Sequence, residues 1–191
     1  MTEPVAKPQR DEALRCVRLR RITIIDFRNI ARTEIDVPAD GIAVVGDNGH
    51  GKTNLLEAIA YLELLRSMRG ARDRDLIRFG GDTFHVGATT VGARAERVAV
   101  GVAKNGTKRA TLDGVEQTRL GDALGAVPSV CFSPADVALV AGGPSERRRA
   151  LDIMLALTDS SYLAALRGYR AALARRNATL RSSRQDRSAL R

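Results

Sequence analysis

Apolar and polar positions alternate over residues 17–25 (VRLRRITII), which predicts a strand with one buried face. A turn signal at Arg28 and Asn29 follows, then a second alternating run at 31–37 (ARTEIDV), closed by Pro38, Asp40 and Gly41. Residues 42–45 (IAVV) are apolar without interruption, the pattern of a strand buried on both faces of a sheet. From residue 53 the period changes. Leu55, Leu56, Ile59, Leu62 and Leu65 recur at helical spacing and predict an amphipathic helix.

Residues 67–82 (SMRGARDRDLIRFGGD) are charged and polar and predict a surface excursion. Three strand-like runs come next, FHVGATTV, ERVAVGVA and TKRATLDGV, with Asn105-Gly106 between the last two. That dipeptide is a strong hairpin signal, so the three runs predict an antiparallel meander. A short helix near 119–124 and a strand at 127–132 follow. Ser133 and Pro134 open another helical segment, which Gly142, Gly143 and Pro144 end. Ser145 is the expected cap of a helix through Leu157, and Asp159 or Ser160 the cap of a last long helix. On that helix Tyr162, Leu166, Tyr169, Leu173 and Leu180 form a seam, with Arg176 filling its gap, and no segment of the chain is expected to return against it.

Between the apolar run and the first helix stands GDNGHGKTN, residues 46–54. Gly46, Gly51, Lys52 and Thr53 satisfy the phosphate-loop pattern G-x-x-x-x-G-K-[ST]. Gly46, Gly49 and Gly51 let the backbone curl until successive N–H groups face one concavity. The following helix aims its positive end there. Lys52 is placed to reach the β- and γ-phosphates of a nucleotide, and the Thr53 hydroxyl to ligate Mg²⁺. The candidate nucleotide-binding residues are therefore Gly46, Asp47, Asn48, Gly49, His50, Gly51, Lys52 and Thr53. A chance Lys-Thr after a glycine-rich turn would explain the motif but not its strand–loop–helix setting. The fold class expected is α/β, of the P-loop NTPase type, with an antiparallel meander.

Charge changes the picture at the C-terminal end. The net charge is +9 over 191 residues, yet from Arg147 onward eleven arginines face three acids. Nearly all the excess sits in the last quarter, which points to an anionic partner such as nucleic acid or to a charge-coated helix. Arg147, Arg148 and Arg149 fall in the expected first turn of a helix, where the dipole disfavours cations by roughly 0.3–1 kcal/mol each. They are candidate DNA contacts, internal carboxylates being the other explanation. The two cysteines, Cys16 and Cys131, lie far apart in strand-like segments without zinc-ligand spacing. No stretch is long and apolar enough to span a bilayer, and the charged, proline-bearing N-terminus is unlike a signal peptide. A cytoplasmic location is expected. Hydrolysis would also need an acid at the end of a second buried strand. The runs PSVCF and ADVALV do not end in one.

Four blocks together resemble the RecF family of bacterial replication and repair proteins, relatives of the SMC ATPases. They are LRRITIIDFRNI, GDNGHGKTNLLEAI, SMRGARDRDLIRFG and FSPADVALVAGGPSERRRALD, and the likeness runs from residue 19 to about 180. The resemblance implies the N-terminal half of an ABC/SMC-type ATPase head followed by the start of a helical arm. It implies ATP and Mg²⁺ as cofactors, and adds Arg28 and Asn29 of DFRN as nucleotide contacts; a turn arginine held by a carboxylate is the other reading of Arg28. It implies binding of single-stranded or gapped DNA, work with RecO and RecR in loading RecA, the SOS response and ATP-dependent dimerisation. The layout expected is a leader at 1–14, a head part at 15–145 with the phosphate loop at 46–53 and the meander at about 83–132, and an incomplete basic arm at 146–191. Signature and Walker B motifs fall outside these blocks, so ATP binding is expected and hydrolysis is not. A small P-loop kinase and a non-catalytic DNA-binding fragment are the alternatives.

Overall fold

The structure is a computed structural model that describes residues 17–189. The expected leader at 1–14, and Cys16, lie outside the described residues. Contacts divide the chain into two units, residues 1–131 and 132–191.

The first unit is built on a six-stranded sheet. Strands β1 (Arg18–Phe27), β2 (Ile30–Asp36), β3 (Thr83–Val91), β4 (Arg97–Ala103), β5 (Lys108–Leu112) and β6 (Val115–Glu116) lie in the order β2-β1-β3-β4-β5-β6. Every pairing is antiparallel. The two-residue period sends Ile22 and Ile24 of β1, Phe84, Val86 and Ala88 of β3, and Val98, Val100 and Val102 of β4 to one buried face. Asp26 has φ 50, a left-handed kink, and the phase shifts there so that Phe27 turns inward.

Helix α1 (Lys52–Leu64) covers this face. Its buried side is Leu55, Ala58, Tyr61 and Leu62, with Leu65 just past its end, whereas Leu56 is exposed and Ile59 half-buried. The buried stripe is rotated from the expected one because Tyr61 enters the core. Its ring packs edge-on against Phe27 at 6.3 Å and Phe84 at 5.2 Å, and those two meet at 5.1 Å. Each such side chain contributes about 1.5–3 kcal/mol by burial.

Three expectations fail in this unit. Residues 42–45 form no strand, and Ile42, Val44 and Val45 are exposed. Residues 127–132 form no strand either, and Val130 and Phe132 are exposed. A strand needs hydrogen-bonding neighbours, and no described residue supplies them to either run. The excursion at 67–82 is not wholly on the surface. A 3-10 turn at Asp73–Leu76 buries Leu76 completely, and Ile77 bridges Phe27.

The second unit contains α2 (Ala138–Ala141), α3 (Pro144–Thr158) and α4 (Ser160–Ala189). Gly143, not Ser145, is the N-cap of α3, because Pro144 has its φ preset for the first helical position. Asp159 caps α4 as expected, its Oδ1 accepting the N–H groups of Ser161 and Tyr162. The seam on α4 does find a neighbour at its start. Tyr162 Oη donates to Asp152 of α3 at 2.7 Å, and Arg170 pairs with the same carboxylate at 3.1 Å. Beyond that point Tyr169, Leu173 and Leu180 are exposed.

Candidate phosphate-binding site

The loop is exposed over residues 46–50 and half-buried at Gly51, and its three glycines carry the backbone through positive φ: 149° at Gly46, 87° at Gly49 and 94° at Gly51. Gly51 is the N-cap of α1. It supplies no side-chain cap, and the first turn holds no acid. The N–H groups at that helix end therefore face a position suited to an anion. Lys52 Nζ donates to the carbonyls of Gly46 at 2.6 Å and Asp47 at 2.7 Å, so its ammonium sits inside the curl. Thr53 follows on the exposed side of the same turn. Asp47, Asn48 and His50 complete the exposed rim, and His50 N–H closes a turn on Asp47 O at 3.4 Å.

The turn between β1 and β2 flanks the loop. Asn29 donates from Nδ2 to Gly49 O at 3.2 Å and accepts from Asn54 Nδ2 at 2.8 Å. Arg28, with φ 56, pairs with a carboxylate. Its Nε and Nη2 reach the two oxygens of Glu57 at 3.0 and 3.1 Å, and Nη1 donates to Asp75 O. The structure thus places Arg28 as a turn residue held by a carboxylate and Asn29 against the phosphate loop.

Glu57 is the site residue that the sequence pattern missed. Its side chain is fully buried. Ser67 Oγ donates to it at 2.5 Å, and Arg69 lies at 3.6 Å. Burial alone would raise its pKa. The hydrogen bonds of Arg28 and Ser67 and the charges of Arg28 and Arg69 outweigh this and hold the carboxyl below the ordinary glutamate value. Its neighbours Leu55, Leu56 and Ile59 read as an ordinary amphipathic helix; only the arginines of DFRN and SMRG hint at a buried acid.

The three candidate DNA residues are all exposed. Because Pro144 opens α3, they lie past the first three helical positions, where the dipole effect is fading. Arg147 Nη1 donates to Gly142 O at 3.0 Å; no partner is seen for Arg148 or Arg149 among the described residues.

No family model matches the chain. It is similar to the DNA replication and repair protein RecF of Anaeromyxobacter sp. (strain Fw109-5), 42% identical over 166 residues, 86% of this chain and 45% of that protein. RecF of Phocaeicola vulgatus is 36% identical over 169 residues, 87% of this chain and 46% of the relative. Among solved structures, the recombination mediator protein RecF with ATP, of the RecFOR pathway, matches 90% of this chain and 47% of its own, with TM-score 0.79 and 30% identity. An Smc head domain with a coiled coil from Pyrococcus yayanosii, 22% identical with TM-score 0.52, shows the same fold. The chain spans a little under half the length of the RecF proteins it matches.

Proposed function

We propose that the chain, which matches RecF proteins over 86% of its length, is a member of their family and an ATP-binding component of DNA replication and repair. The observation that carries this is the loop itself: left-handed glycines, an uncapped helix end without acids, and a lysine already turned into the curl. Lys52 would exchange its two carbonyl contacts for β- and γ-phosphate oxygens, and Thr53 would hold Mg²⁺. The metal neutralises charge on the phosphates when bound. Arg28 keeps its carboxylate, so Asn29 is the turn residue nearer to the nucleotide. Hydrolysis requires a further acid and a group that orients water, neither of which the described loop surroundings assign. Binding alone is proposed.

By family membership the nucleic acid is single-stranded or gapped DNA, with RecO, RecR and RecA as working partners, the SOS response as setting and ATP-dependent pairing of heads in the longer proteins. The exposed Arg148 and Arg149 support a phosphate-contacting role for α3. The small-kinase alternative is set aside, because the structural likeness lies with RecF.

The test is binding of a fluorescent ATP analogue with Mg²⁺ to this chain and to its Lys52→Ala variant. Loss of at least tenfold in affinity is expected in the variant. Equal binding by two folded proteins would remove the phosphate-loop assignment.

A further inference from the structure

The phosphate loop makes a side-chain hydrogen bond to the β1–β2 turn, and that turn is anchored from inside the protein. Arg28 holds a left-handed conformation that costs a non-glycine residue roughly 1–2 kcal/mol. Three contacts fix it there: the bidentate pair with Glu57, the Nη1 bond to Asp75 O, and its own N–H to Leu76 O at 2.6 Å. Asn29 follows directly, and its amide bonds the loop at Gly49 O.

A second path leads from the same carboxylate. Glu57 accepts from Ser67, whose Oγ in turn accepts the N–H groups of Arg69 and Ala71. Arg69 donates to Asn54 Oδ1 at 3.3 Å, and Asn54 donates to Asn29 Oδ1. Both paths begin at one buried carboxylate and end on the Asn29 amide. Each side of that amide is therefore committed, the nitrogen to the loop and the oxygen to α1.

We propose that Glu57 is a positioning residue for the phosphate loop, acting through Arg28 and Asn29, with Asn29 as the latch. Nothing in this arrangement asks Glu57 to touch a nucleotide. Its task is to fix the turn, so that Asn29 holds Gly49 while the loop is empty and the curl is formed in advance. The role for nucleotide affinity rests on the ATP-binding reading; the effect on the empty loop does not.

The test uses the full chain without nucleotide. Amide hydrogen exchange is followed at residues 48–51 in the parent, Glu57→Gln and Asn29→Ala. Exchange about tenfold faster at those amides is expected in both variants, and in Asn29→Ala the β3 and β4 amides stay as protected as in the parent. Unchanged loop exchange in either folded variant overturns the proposal. Should Glu57→Gln not fold, Asn29→Ala, a surface change, decides alone. Affinity for the ATP analogue adds a second readout. Each substitution is expected to weaken it about tenfold, and the double variant no more than the worse single one, because both act through one contact. Fully additive losses would overturn the proposal. If the parent itself does not bind ATP, the ATP reading fails, and the exchange data still decide on Glu57.

Discussion

The amide oxygen of Asn29 lies 2.7 Å from where a β-carbon on Gly51 would stand. The last loop glycine is thus required twice, once by its φ of 94° and once by a neighbour in contact. Gly51→Ala is expected to push Asn29 off Gly49 and to strain the helix start, costing about 1–2 kcal/mol from the backbone alone. Nucleotide titration should show an affinity loss of more than tenfold, while the meander keeps its circular dichroism.

Thr53 stands on the exposed side of the first turn of α1. Thr53→Ala is expected to leave ATP binding in EDTA unchanged and to abolish the gain in affinity that Mg²⁺ gives the parent. Paired titrations with and without the metal measure this. A full Mg²⁺ effect in the variant would place the metal elsewhere.

Tyr61 ties the core to the 3-10 turn, its hydroxyl donating to Asp73 at 2.8 Å with Lys108 above the ring at 5.2 Å. Burial, then the bond to Asp73 and its charge, raise the phenol pKa strongly, so it stays protonated. Tyr61→Phe should cost about 1 kcal/mol, the net worth of one hydrogen bond. Phe84→Ala, which empties the middle of the aromatic trio, should cost about 3–5 kcal/mol. Urea denaturation would rank the two.

Glu57 predicts an acid limb in stability. Its folded pKa is depressed, so its contribution is fully present above the unfolded value of about 4.3 and is lost as pH falls through the folded value. Glu57→Gln should lower stability at neutral pH by about 3–5 kcal/mol, the cost of breaking a buried pair. It should also flatten the decline below about pH 4.3. Thermal melts over an acid series in both proteins would show it. A decline of equal depth in the variant would mean other carboxylates control it.

Arg148 and Arg149 predict a salt signature. If both contact phosphates, replacing them with alanine should reduce the slope of log affinity against log salt by about 0.7 per residue for single-stranded DNA. An unchanged slope would assign them to a solvated helix face.

The sequence made the loop, α1, the meander and the cap at Asp159 readable, because each depends on residues close together in the chain. The hairpin at Asn105-Gly106 is a case in point: Gly106 has φ 89, and Asn105 Oδ1 accepts the N–H of Thr107. What failed depends on distant partners. The apolar runs at 42–45 and 127–132 announce burial, but not which strand will lie beside them. Glu57 looks like a solvent-facing residue of an amphipathic helix. Its burial follows from Arg28, far upstream, and from Ser67 and Arg69, a few turns downstream. Arg28 is the instructive case at the site: its motif position suggests a ligand contact, and only the structure shows the carboxylate that pairs with it.

Residues 42–45 make no strand hydrogen bonds among the described residues, and the phosphate loop continues directly from them. Among the described residues the loop is mechanically a cantilever, clamped at α1 and Asn29 and without a strand partner where it enters. A ligand that settles in the curl would add a hold on that side of the loop. A strand laid beside residues 42–45 would do the same work beforehand. The two events are then linked: pairing at the sheet tightens the hold on phosphate, and phosphate tightens the pairing by an equal factor.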